Sequence, residues 1–379
     1  MRVLFVCCAL DVLLLAAGSV LAWRLPRRAA WMDAAGLLVF AGIAAFAFAL
    51  PCFAFGGMFG VLRGFTHAGF CVILPVAAVR AVRLWGRAGS RWLALALLFA
   101  FAAGEAIYVF AREIEPFRLE VTRETVTSPR LQAVEQKLGR PLRVACLADL
   151  QTDVIGAHEK HAFDQLVSFA PDMVLMLGDY LQVPRERLSA LRPALHEQLA
   201  RLQAPHGIYA VEGDVDYGAA ATRELFAGTA VQVISDRNVQ LAELPIDILG
   251  LSRTRSRAPF VDSGLVRRIQ VSQEPQADRF PILIGHAPDY MLSVVRDGYD
   301  PDALMVAGHT HGGQIQIPGF GPLVTLSSVP RWLGGGGVFR HGKAWLVVSR
   351  GVGHERGHAP RVRFCCRPQL ILLELRGGS

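Results

Sequence analysis

ALMVAGHTH, residues 303–311, carries an apolar run into a glycine, a histidine and a second histidine two positions on. A short apolar run of this kind reads as a buried strand, and its imidazoles fall where the strand stops. The same arrangement recurs upstream: Arg143 to Asp149 (RVACLAD), Asp172 to Asp179 (DMVLMLGD), Gly207 to Asp214 (GIYAVEGD) and Pro281 to His286 (PILIGH) each end in a carboxylate or an imidazole. Three further runs, Ile246 to Leu251, Trp345 to Gly351 and Gln369 to Leu375, share the apolar character without the terminal ligand. Between the second and third ligand-ending runs, Pro184 to Leu202 places Leu188, Leu191, Leu195, Leu199 and Leu202 at helical spacing. Strand-type runs alternating with amphipathic stretches predict an α/β domain, and polar residues at the strand ends predict a site there.

Singly these endings say little, because Gly-Asp after a strand is often a turn and GHTHGG could be a loop. Together Asp149, Asp179, Asp214, His286, His309 and His311 form a carboxylate and imidazole set that suits one or two divalent metals. In chain order, D-x-Q at 149–151, G-D at 178–179, G-D-x-D at 213–216, G-H at 285–286 and G-H-T-H at 308–311 resemble the five blocks of the calcineurin-like metallophosphoesterases. GIYAVEGDVDY, GHTHGGQIQIPGFGPL and the ending SRGVG…RPQLILLEL are similar to its bacterial membrane-anchored branch, so the resemblance covers about residues 141–376. It implies a two-sheet α/β sandwich flanked by helices, with two divalent ions (Mn, Fe or Zn) at the strand ends. One would be held by Asp149, Gln151, Asp179 and His311, the other by Asp179, Asp214, His286 and His309, with Asp179 bridging. Two such cations about 3.5–4 Å apart polarise a phosphoryl oxygen and make hydroxide available for in-line attack on phosphorus.

The chain departs from the family pattern at three positions. Gln151 stands where the motif has histidine, offering a neutral amide oxygen that suits a harder ion such as Mn. Asp214 replaces asparagine and adds negative charge. Val215 replaces the histidine that would protonate the leaving oxygen, which favours substrates whose leaving group needs no proton, such as pyrophosphates and aryl esters. His206, His354 and His358 are substitutes by residue type alone. Asp216 either hydrogen-bonds a metal-bound water or caps the following turn, the turn being preferred; Asp153 either supports the metal ligands from behind or begins a loop; and His158 and His161 beside Glu159 and Lys160 read as a solvated helix face. Gly334 to Gly337 reads as a hairpin or a mobile lid.

The first third of the chain has a different composition. The 379 residues are 52% hydrophobic and 19% charged, too apolar for an ordinary soluble protein. Four windows, about 3–23, 33–53, 60–80 and 91–110, approach the 20 or so apolar residues of a membrane span. A cleavable signal peptide over residues 1–22 competes for the first, with Arg2 a thin basic start and Ala22 a poor cleavage site. Residues 1–111 hold nine arginines against three acids, almost the whole of the net +7, so the basic excess belongs to membrane loops and nucleic acid is not an expected partner. Arg24, Arg27 and Arg28 lie between the first two windows and Arg80, Arg83, Arg87 and Arg91 between the last two. By the positive-inside rule both linkers are cytoplasmic and the C-terminal domain is extracytoplasmic. Asp11, His67 and Glu105, inside the windows, offer either a proton or ion path or isolated groups serving helix packing, and the packing reading is preferred. The seven cysteines show no CxxC pair and leave the redox compartment open.

The expected organisation is therefore an all-α membrane domain of about four helices (1–111), a connector (112–140, with Thr122 to Gln136 mildly amphipathic) and a metallophosphoesterase domain (141–379). The expected function is a phosphoesterase anchored in the inner (cell) membrane, acting on a phosphorylated small molecule or lipid. The resemblance allows a nucleotide-sugar-lipid pyrophosphatase, a lipid phosphatase or a general phosphodiesterase. The rival is a catalytically impaired metal-binding envelope protein with a sensing or scaffolding role, suggested by Gln151 and Val215.

Overall fold

Residues 2–24, 30–257, 279–357 and 359–378 are described by the structure, a computed structural model. Arg27, Arg28 and His358 lie outside the described residues. The chain divides into two units, one of Met1–Ile114 with Glu355–Arg361 and one of Glu115–His354 with Val362–Ser379.

The first unit is helical: α1 (Arg2–Arg24), α2 (Ala30–Thr66), a π-helical segment (His67–Ile73), α3 (Leu74–Leu84) and α4 (Arg91–Val109). Three continuous stretches, Leu4–Arg24, Met32–Leu84 and Arg91–Phe117, are long and apolar enough to cross a membrane. At about 1.5 Å per residue, the 53 residues of the second would reach well beyond one hydrocarbon thickness of about 30 Å. That stretch breaks at Gly57, whose φ of 56° and ψ of −145° leave the helical region. A Cβ at Gly60 would lie 2.1 Å from the Cys52 carbonyl oxygen, and one at Gly64 would lie 3.1 Å from that of Phe48. The pairing of 60 with 52 and 64 with 48 is that of a chain doubled back on itself, and only glycine permits so close an approach. Phe5, Leu38, Phe46, Trp92 and Phe99 are exposed on this unit, an apolar surface far larger than isolated exposed residues would make.

The second unit contains β1 (Glu120–Ser128), α5 (Gln132–Leu138), β2 (Leu142–Leu147), α6 (Ala157–Phe169), β3 (Met173–Met176), α7 (Leu188–Ala200), β4 (Ile208–Ala210), α8 (Ala219–Leu225) and β5 (Val231–Val233). It continues through β6 (Asn238–Gln240), β7 (Ile246–Gly250), β8 (Phe280–Ile284), β9 (Leu304–Ala307), the small hairpin β10 (Gln316–Ile317) and β11 (Gly321–Pro322), β12 (Gly337–His341), β13 (Ala344–Val348) and β14 (Gln369–Gly377). Two six-stranded sheets form, ordered β1-β14-β2-β3-β4-β5 and β12-β13-β9-β8-β7-β6. The middle strands β2 to β5 are parallel in one, and β7, β8, β9 and β13 are parallel in the other.

Side-chain alternation explains the continuous apolar runs. In β2, Val144 and Cys146 face the other sheet while Ala145 and Leu147 pack with Phe163 and Leu166 of α6 and Leu195 and Leu199 of α7. In β9, Leu304 and Val306 enter the inter-sheet core, and Met305 and Ala307 the opposite layer. Each central strand is covered on both faces and so has no polar side to show. This is the mixed α/β arrangement of sheets and helices expected from the sequence.

Two readings change. Thr122 to Gln136 is not only a connector, because β1 pairs with β14 in parallel over nine residues, from Glu120 opposite Gln369 to Ser128 opposite Gly377. Its charged Arg123 and Glu124 are exposed on a sheet edge, where charge is tolerated and blocks further pairing. On α6, His161 and Lys160 are exposed as expected, but Glu159 is buried, accepting from the Thr152 hydroxyl at 2.7 Å and the Gly156 amide at 2.9 Å. His158 is half-buried, 2.9 Å from the Val352 carbonyl oxygen. Gly334 to Gly337 links a short helix, Arg331–Gly334, to the hairpin β12–β13.

Candidate metal centre

Five strands deliver polar residues just past their C-terminal ends: Asp149 after β2, Asp179 after β3, Asp214 after β4, His286 after β8 and His309 after β9. The turns are sharp. Asp149, Gln151, Asp179, His309 and His311 all have positive φ, between 34° and 70°. Left-handed backbone at a non-glycine residue costs free energy and persists where the surroundings enforce it, as at functional sites. Here the enforcement is visible. The Asp149 amide donates to the Gly178 carbonyl at 3.1 Å and the Gln151 amide to the Asp179 carbonyl at 2.8 Å. The His309 amide donates to the Asp149 carboxylate at 3.0 Å. A Cβ at Gly308 would lie 2.5 Å from Asp149 Oδ2, so the glycine before His309 is required by the carboxylate it touches.

The polar atoms converge in two groups sharing His286, namely Asp214, His286 and His309, and Asp149, Asp179 and His286. Within each, the potential ligand atoms lie within 4.8 Å of one another. His309 Nδ1 is 3.0 Å from Asp214 Oδ2, and His311 Nε2 is 4.0 Å from Asp149 Oδ1. Gln151 is buried at the same end. Asp149, Asp179, Asp214, His286 and His309 are thus brought together, with His311 beside Asp149 and the Gln151 backbone bonded to that of Asp179.

His286 provides the test of whether this set suits a cation. Its ring is fully buried, and Nδ1 lies 2.8 Å from the Leu177 carbonyl oxygen, which can only accept, so Nδ1 carries a proton. Nε2 is buried without a hydrogen-bond partner, 3.4 Å from Asp179 Oδ2 and 3.6 Å from Asp214 Oδ2. Three potential ligands surround one point without bonding to each other, and a carbonyl behind the ring orients it as second partners do for metal-bearing imidazoles. The titration behaviour agrees. Burial pushes the Asp149 carboxyl up to about 8, with Asp179 adding to the rise and His286 opposing it. His286 is raised to about 10, because Asp179 and Asp214 outweigh the lowering effect of burial. Burial raises Asp214, but the neighbouring imidazoles of His286 and His309 outweigh it and hold Asp214 well below the usual carboxylate range. Crowded carboxylates in a desolvated site are the condition a divalent cation relieves.

Two residues at the centre, Arg257 and Arg363, carried no sequence signal, and Asp216 does more there than cap a turn. Asp216, read as a turn cap, ties two site loops together by accepting from the Asp179 and Gly213 amides at 2.7 Å each and from Tyr180 at 2.9 Å. Arg257 Nη2 is 2.7 Å from Asp214 Oδ2 and 3.1 Å from His309 Nε2, with its side chain half exposed. Arg363 is fully buried, its guanidinium 3.3 Å from His311 Nδ1 and donating to the carbonyls of Arg350 at 2.6 Å and Cys366 at 3.2 Å. Of the histidines weighed as proton donors, His206 precedes β4 and sits at the opposite end of the sheet, its amide bonded to the Asp172 carbonyl. His354 is buried in the loop after β13, next to Gly353, whose amide donates to the Asp149 carbonyl at 2.7 Å.

No family model matches the chain. An uncharacterized metallophosphoesterase of Bacillus subtilis, YkuE, is 28% identical over 288 residues, 72% of this chain and 91% of the relative. The phosphodiesterase YaeI of Escherichia coli is 26% identical over 54% of this chain and 70% of its own length. The UDP-2,3-diacylglucosamine pyrophosphatase LpxG of Chlamydia trachomatis is 25% identical over 72% of this chain and 94% of its own. Among solved structures, a dimetal phosphatase from Danio rerio matches with a TM-score of 0.36 at 13% identity, covering 58% of this chain and 90% of that one. The sequence relatives place the chain among the metallophosphoesterases of calcineurin-like type. It is a hydrolase of that class, with divalent metals as its implied cofactors.

Proposed function

We propose that the chain is a membrane-anchored phosphoesterase that hydrolyses a phosphate ester or pyrophosphate bond at a dinuclear metal centre. The observation that carries the reading is the buried, unpartnered His286 Nε2 set between the Asp179 and Asp214 carboxylates. In this reading Asp149, Gln151, Asp179 and His311 hold one cation, and Asp179, Asp214, His286 and His309 the other. Such cations supply Lewis acidity and lower the pKa of water toward neutrality. The chain's own residues do the rest. His286 is fixed through Leu177, Asp216 fixes the Asp179 loop, and Arg257 offers a guanidinium on the solvent side for phosphate oxygens.

Val215 cannot give a proton to a leaving oxygen, which favours anhydrides and activated diesters, in keeping with the phosphodiesterase and pyrophosphatase names of two relatives. The doubled-back stretch at Gly57 supports four spans, and the basic linkers support an extracytoplasmic catalytic unit. An anchored enzyme of this kind suits a lipid-linked or envelope phosphate. Hydrolysis of an aryl phosphodiester by Mn-supplied protein is expected, reduced at least about 10³-fold in His286→Ala, a loss of about 4 kcal/mol of transition-state stabilisation. Folded wild type silent on mono-, di- and pyrophosphates would instead favour the impaired, metal-binding alternative that Gln151 and Val215 suggest. For orientation, a reporter fused after Ser379 is expected to be active only outside the cytoplasm, and cytoplasmic activity would reverse the assignment.

A further inference from the structure

Within the helical unit, Asp11 of α1 and His67 and Cys71 of the π-helical segment bring one potential ligand atom each within 4.8 Å of one another. The sequence presents Asp11 and His67 as isolated groups, yet the fold sets His67 Nδ1 2.7 Å from Asp11 Oδ2. The remaining oxygen, Asp11 Oδ1, is buried with no hydrogen-bond partner, and so is Glu105 Oε1 on α4. Glu105 lies within electrostatic reach of the Cys71 thiol, as does Arg112. Among the described residues neither acid is paired with an arginine: Arg63 bonds to the Ala359 carbonyl, and Arg112 to Glu113 and Tyr108. A carboxylate and a thiol therefore meet one imidazole in apolar surroundings, where an unsatisfied polar oxygen is costly. The segment carrying two of the three ligands is π-helical from its first residue, His67, and π-bulges inside α-helices frequently occur at functional sites.

We infer that Asp11, His67 and Cys71 form a second cation site, separate from the phosphoesterase centre and built for a thiophilic divalent ion such as Zn²⁺. The donor chemistry sets the preference. Thiolate and imidazole select zinc-like ions over Mg²⁺ or Ca²⁺, which take oxygen ligands. The inference is independent of the proposed hydrolysis, because no cysteine is among the ligands proposed for that centre.

Cobalt is the probe, since a thiolate ligand gives Co²⁺ an intense near-ultraviolet charge-transfer band that oxygen and nitrogen ligands do not. Full-length protein in detergent is titrated with Co²⁺ in the His286→Ala background, which disables the other centre. The expected result is a thiolate band saturating at about one equivalent, displaced by Zn²⁺, abolished in Cys71→Ser and at least about tenfold weaker in affinity in His67→Gln. Size-exclusion profiles establish that each variant is folded, and His67→Gln carries the test alone if Cys71→Ser is not. No thiolate band at saturating Co²⁺, or a band unchanged in the folded variants, would overturn the site.

Discussion

Val215→His is expected to raise turnover of alkyl phosphomonoesters by about 10²-fold or more, the usual worth of a positioned general acid, while changing aryl diesters far less. The Val215 amide donates to Asp179 Oδ1 at 2.9 Å, so this backbone is already fixed beside the centre and a side chain here starts from a defined place. Alkoxide leaving groups need a proton in the transition state and nitrophenolates do not, so the ratio between the two substrates is the readout. Rates against leaving-group pKa should fall steeply for wild type and flatten in the variant. An equal change for both substrates would mean that the missing histidine is not what limits wild type.

Arg363→Met is expected to lower the unfolding midpoint of the second unit by roughly 10 °C, from a loss of about 3–5 kcal/mol at about 2–4 °C per kcal/mol. The guanidinium is fully buried, and its removal strands the carbonyls of Arg350, Gly353 and Cys366, which no thioether can satisfy. Burial pulls the Arg363 pKa down, yet the group retains its donors because they are matched by carbonyls from the loops around Asp149 and His311. Thermal unfolding followed by near-ultraviolet circular dichroism measures the shift. A variant melting within about 2 °C of wild type would show that these loops are held by other means.

The eight apolar runs are all strands because each lies in a sheet covered on both sides, a burial that a sequence displays directly. Edge elements escape that logic. β1 reads EVTRETVTS, and its strand character depends on β14, more than two hundred residues away. The centre shows the same division. Asp149, Asp179, Asp214, His286 and His309 are legible because each follows its own strand. Arg257, Asp216 and Arg363 act from loops, through long side chains or backbone bonds whose partners no spacing reveals. The meeting of Asp11 with His67 was equally hidden, since a helical pair 56 positions apart leaves no periodic trace. The break at Gly57 falls between the second and third hydropathy windows, where the sequence places a loop.

Elemental analysis of purified full-length wild type against Asp179→Ala, taken as a difference, asks whether these strand ends hold metal. Asp179 lies in one three-residue ligand group and within 3.4 Å of the histidine shared by both. About two divalent ions per chain fewer are expected in the folded variant, together with loss of the phosphodiesterase activity that metal restores to chelated wild type. Equal metal content in the two proteins, with activity indifferent to chelation, would contradict a metal centre at these strand ends.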